Sequence, residues 1–133
     1  MLVDKLQLQG INLHINGDLL VFESDAPITK SQLEFLKNNK VSIMAELKDL
    51  ALVEFDEDGD VFPLHHFKGD HMPYPRFTDF SFIHQQLKHC YDRTALAAHY
   101  SRIYLQAYQA ESVEQKKDNT ARCSANKWLF DNT

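Results

Sequence analysis

Cysteine, glycine, proline and tryptophan are all scarce in this chain of 133 residues, which holds two, four, four and one of them. The two cysteines, Cys90 and Cys123, cannot build a disulfide framework, and no Cys-x-x-Cys pair offers a metal knuckle. No Gly-rich phosphate loop, no G-x-S-x-G elbow and no H-E-x-x-H helix is present. No run reaches the ~18 apolar residues of a membrane span. The opening MLVDKLQLQG lacks the basic and apolar regions of a secretory signal. These absences argue for a cytoplasmic protein with no cofactor, no membrane partner and no enzymatic role.

An apolar fraction of 44% fits a folded domain long enough to bury a core without staples. Charge is unevenly spread. Residues 1–60 hold twelve acids against five Lys/Arg, and residues 61–133 seven against nine. The chain therefore lacks the clear basic surplus of a dedicated nucleic-acid binder.

The stretch GINLHINGDLLVF (10–22) alternates Ile11, Leu13 and Ile15 with Asn12 and His14, the period of a half-buried strand. Asn16-Gly17 is a strong hairpin signal, since both residues accept positive φ. The return strand is expected over 18–24. A short helix over 3–9 precedes the hairpin and ends at Gly10. Thr29-Lys30-Ser31-Gln32 has the form of a capping box opening a helix. A second helix is expected over 40–53. Residues 1–52 thus read as a small αββαα module.

Residues 53–77 read as an acidic linker or, with Gly59, a turn over 53–60, running into an irregular wrapping segment rich in proline and aromatics over 61–77. Residues 78–133 read as helical: one helix over 79–91 capped by Thr78, one over 93–111 following Asp92, and one opened by a Ser112-Val113-Glu114-Gln115 capping box. The fold class is α+β.

Four stretches, GINLHINGDLLVF, APIT, LEFLKNNK and VSIMAEL, make the first fifty residues resemble a TubC-type N-terminal docking domain of nonribosomal peptide and polyketide assembly lines. The resemblance implies an αββαα fold, self-association as a homodimer, and a hairpin edge that pairs with a short partner segment. An unpaired edge does offer main-chain donors and acceptors to an added strand. Family members often use basic residues to capture acidic tails. This hairpin offers only His14 beside Asp18, Glu23 and Asp25, which favours a basic or apolar segment. The stretch KDNTARCSANKWL (117–129) is similar to the ends of small accessory proteins of bacterial mobile elements. That likeness implies a replication, transfer or host-defence complex as partner, with inhibition of host defence included.

The expected function is therefore non-catalytic docking or adaptor recognition of another protein. Asn12, His14, Asp18, Leu20 and Phe22 form the expected pairing surface. Glu54, Asp56, Asp58, Arg122, Asn126 and Trp128 are expected as secondary contacts. The alternative is nucleic-acid association through the C-terminal helices. It would use a stripe of Tyr100, Tyr104 and Tyr108 with Arg93, Arg102, Lys116, Lys117, Arg122 and Lys127. A second alternative is a metal-dependent enzyme at His65, His66 and His71 with Asp70, whose spacing matches no established zinc signature. An EF-hand beginning at Asp56 fails, because Val61 and Phe67 occupy its glycine and glutamate positions. Cys90 with His84 or His89 could form a nucleophile pair, but Cys90 falls on an apolar face where inert thiols are common.

Overall fold

The computed structural model describes residues 1–64 and 77–133, with only the backbone of Phe77, Thr78 and Phe80. Among the described residues it is an α+β fold of six α-helices and two antiparallel hairpins. The chain divides into two compact units, Met1–Lys48 and Asp49–Thr133.

The first unit follows the order α1 (Leu2–Leu8), β1 (Ile11–Asn16), β2 (Leu19–Ser24), α2 (Lys30–Asn38) and α3, which spans Lys40–Leu50. Its buried centre is small: Val3 and Leu6 from α1, Ile11 from β1, Leu36 from α2 and Ile43 from α3. Each such side chain contributes about 1.5–3 kcal/mol by leaving water. Glu46 of α3 accepts from the N–H groups of Leu2 and Val3 at 3.0 and 2.9 Å. A carboxylate there satisfies orphan donors and complements the positive end of α1. The Thr29–Gln32 capping box is present in full: Thr29 Oγ1 accepts from the Gln32 N–H, and Gln32 Oε1 accepts from the Thr29 N–H.

In the second unit, residues 53–63 follow the turn reading rather than the linker one. They form a hairpin of β3 (Val53–Phe55) and β4 (Val61–Pro63). The acidic run between the strands builds the turn. Asp56 Oδ1 accepts from the N–H groups of Asp58 and Asp60 at 3.0 and 2.8 Å, and Gly59 takes φ +82°. Short carboxylates commonly stabilise turns in this way, and the positive φ suits glycine.

Three helices complete this unit: α4 (Phe77–Leu87), α5 (Arg93–Ala110) and α6, which spans Lys117–Asn132. Ala97, Ala98 and Ser101 of α5 share one core with Ala121 and Ala125 of α6, small residues that permit close helix packing. Val53, Val61, Ile83, Leu87, Tyr100, Tyr104 and Leu129 fill the rest. Helix α4 stops at Leu87, short of the expected 91, because the chain must turn before Asp92 starts α5. The Ser112–Gln115 capping box does not form. A 3-10 turn at Glu114–Lys116 leads into α6 instead. Lys117 Nζ donates to the carbonyls of Tyr108 and Glu111 at the end of α5. Among the described residues no helix is long and apolar enough to cross a membrane.

Candidate functional site: the N-terminal hairpin edge

The register of the first hairpin pairs Asn16 with Leu19, His14 with Val21 and Asn12 with Glu23, with Ile15–Leu20, Leu13–Phe22 and Ile11–Ser24 between them. The connecting turn is therefore Gly17-Asp18, one residue later than Asn-Gly would suggest. Gly17 has φ +62° and no described non-glycine residue has positive φ. Glycine alone in that state at the first turn position is the type II′ arrangement.

A two-residue hydrogen-bonded turn closes on a hydrogen-bonded pair, which sets the phase of the ladder. Asn16–Leu19, His14–Val21 and Asn12–Glu23 direct their main-chain groups inward, towards each other. The alternate residues direct theirs outward: Ile11, Leu13 and Ile15 on β1, and Leu20, Phe22 and Ser24 on β2. Among the described residues the sheet has only these two strands.

The two edges differ in cover. Helix α1 packs against β1, and Ile11 is fully buried. No residue of β2 is buried, and Leu20 and Val21 are half-buried. Leu19 and Phe22 remain 63% and 40% exposed. Edge β2 thus presents three outward pairs of main-chain groups beside partly wetted apolar side chains. Asn12, His14 and Asp18 are exposed. Asn12 and His14 offer side chains on the solvent face, but their own N–H groups face β2.

The expected secondary contacts in the second unit fare differently. Arg122 is buried and held by Asp79, with its Nη2 donating to Asp79 Oδ1 at 3.2 Å. Its Nη1 lacks a hydrogen bond but lies 3.5 Å from Asp118 Oδ2. Pairing with Asp79 raises the Arg122 pKa further, burial acting against it. Asn126 Oδ1 accepts from the Tyr100 hydroxyl, and Trp128 packs on the His99 ring with centroids 4.5 Å apart. Arg122 and Asn126 are therefore internal ties between helices rather than exposed anchors. Glu54, Asp56 and Asp58 belong to the second hairpin. The acidic turn is partly neutralised, since Asp60 lies 3.4 Å from His84 Nε2 and 3.9 Å from Arg93.

The tyrosine stripe does not form a stacking platform. Tyr100 and Tyr104 are 0% and 2% exposed. Burial raises the pKa of both, and the hydrogen bond to Asp118 raises Tyr104 further. Tyr108 is half-buried under Lys117. Arg102 pairs with Asp49 at 2.6 Å, whereas Lys116 and Lys127 are exposed.

His65, His66, Asp70 and His71 lie outside the described residues. Among those described, no group of three or more His, Cys, Asp or Glu is placed to hold a metal. The Cys90 thiol donates to the Gln86 carbonyl beyond the end of α4. A cleft of about 340 Å³ in the first unit is lined by Lys5, Leu6, Gln9, Ser31, Gln32 and Phe35.

No protein-family model, curated protein or solved structure matches the chain.

Proposed function

We propose that this protein is a non-catalytic docking module whose first hairpin binds an extended segment of another protein by strand addition. The open β2 edge carries this reading, with its outward Leu20, Phe22 and Ser24 main-chain groups. Main-chain pairing supplies affinity in this mode, and alternate side chains supply specificity. The α-β-β-α-α order of the first unit supports the likeness to TubC-type docking domains. The likeness of the last helix to mobile-element accessory proteins points to a replication, transfer or host-defence complex as the source of the segment.

The test is selection of displayed random segments of about eight residues, enough to run the ~20 Å of the strand, on the immobilised full chain. Enriched segments should lose binding when alternate amides are N-methylated. They should also lose it to Phe22→Pro but retain it with Phe22→Leu, because proline removes an outward edge donor while leucine keeps it. Absence of enrichment, or binding indifferent to N-methylation, would contradict strand addition.

A further inference from the structure

Acidic residues bracket the open edge. Asp18 sits in the turn before β2, Glu23 lies within the strand and Asp25 follows it, and all three are exposed. None forms an ion pair with another described residue. No Lys or Arg occurs anywhere in residues 6–29. His14, on the solvent face of β1, is the only group in that stretch able to carry positive charge.

The two faces beside β2 are also unlike each other. Leu20, Phe22 and Ser24 share a face with Ile15, Leu13 and Ile11, while Leu19, Val21 and Glu23 share the other with Asn16, His14 and Asn12. A strand added to this edge would alternate in the same way. Its side chains on the first face would lie beside Leu20, Phe22 and Ser24. Those on the second would lie beside Leu19, Val21 and Glu23, with Asp25 next in the chain beyond Ser24 and Asp18 in the turn.

From this we infer that the segment captured by β2 is apolar on its first face and carries Lys or Arg at the interleaved positions beside Glu23 and Asp25. The inference rests on the docking reading and goes beyond it by assigning the chemistry of the partner. Opposite charges side by side across strands attract, and like charges there repel. A segment with Asp or Glu at those positions would meet the Glu23 and Asp25 carboxylates, which no described Lys or Arg pairs with, and be rejected. The edge thus selects by repulsion as well as by attraction.

The test uses a display library with apolar residues at alternate positions and Lys, Glu, Gln or Ser randomised between them, selected on the full chain. Lys should be enriched over Glu at two or more interleaved positions. The enriched Lys peptide, synthesised alone, should lose about tenfold in affinity when Glu23 and Asp25 are both replaced by Lys. It should also weaken as salt rises from about 50 mM to about 500 mM, where exposed charges are screened. Both substitutions fall at exposed positions, and circular dichroism of the double variant checks its fold. Enrichment of Glu, or no charge preference, in segments that still lose binding on N-methylation would overturn the basic partner and leave strand addition standing. Failure of every segment to enrich, or binding unaffected by N-methylation, would overturn both.

Discussion

Arg122 of α6 pairs with Asp79 of α4 within the second unit, so a guanidinium resembling an exposed anchor in sequence acts as an internal strut. Asp118 lies against the same guanidinium and accepts from the Tyr104 hydroxyl at 2.8 Å, which brings α5 into the network. Truncating one partner leaves a buried charge uncompensated, at a cost of about 3–5 kcal/mol. Arg122→Met should therefore destabilise the chain by about that amount in urea denaturation. The double variant Arg122→Met/Asp79→Leu should recover part of the loss, since it removes the Asp79 charge but leaves Asp118 without its cation. Equal destabilisation by the single and double variants would show that the ion pair is not the cause.

The buried tyrosines set an alkaline limit. Tyr100 and Tyr104 both have pKa values raised above the ordinary value of 10.0, chiefly by burial. Their protons are held more tightly in the folded than in the unfolded chain. The resulting stabilisation is complete below about pH 10 and is lost as pH rises past it. Urea midpoints measured across this range should fall above pH 10. Tyr104→Phe should make that fall shallower while lowering stability at neutral pH by about 1.5–3 kcal/mol, through loss of a hydrogen bond to a charged group.

Ser101 is a third fixed point. Its fully buried hydroxyl donates to the Leu52 carbonyl at 2.7 Å and accepts from the Leu64 N–H at 3.0 Å. It thereby ties both ends of the second hairpin to α5. Ser101→Ala should cost about 0.5–1.5 kcal/mol, because it removes the hydroxyl's bond to the Leu52 carbonyl and one of the two acceptors of the Leu64 N–H, which keeps the Leu52 carbonyl at 3.0 Å. Amide exchange at Leu64 should accelerate more than exchange within α5.

Gly17 controls the first hairpin. A Cβ there would meet no atom within 4 Å, so the cost of Gly17→Ala comes from its φ of +62° alone. About 1–2 kcal/mol is expected for an L-residue held there. Exchange at Val21 and Glu23, whose N–H groups close the ladder, should rise with little change in the second unit.

Local patterns were the legible part of this sequence. Alternation of Ile11, Leu13 and Ile15 foretold which face of β1 turns inward, and Thr29 with Gln32 foretold a cap that forms in full. Both depend on residues within a few positions of each other. The buried side chains of Tyr100 and Tyr104 depend instead on Asn126 and Asp118, residues distant in sequence whose role no local period reveals. The acidic run was legible only as a linker or a turn. Asp56 decides for the turn, its carboxylate accepting from two N–H groups between Val53 and Val61, whose burial holds the hairpin in place. The free edge was legible only in outline. A shift of the turn by one residue decides which N–H groups point outward, and Asn16-Gly17-Asp18 permits more than one turn.

Residue-resolved amide exchange on the full chain, with and without a selected peptide, tests strand addition most directly. In the free protein Leu20, Phe22 and Ser24 should exchange fast while Val21 and Glu23 are slowed by the ladder. Binding should slow Leu20, Phe22 and Ser24 and leave α5 and α6 unchanged. Protection confined to the helices of the second unit, with the β2 edge still exchanging fast in the complex, would contradict docking at the hairpin.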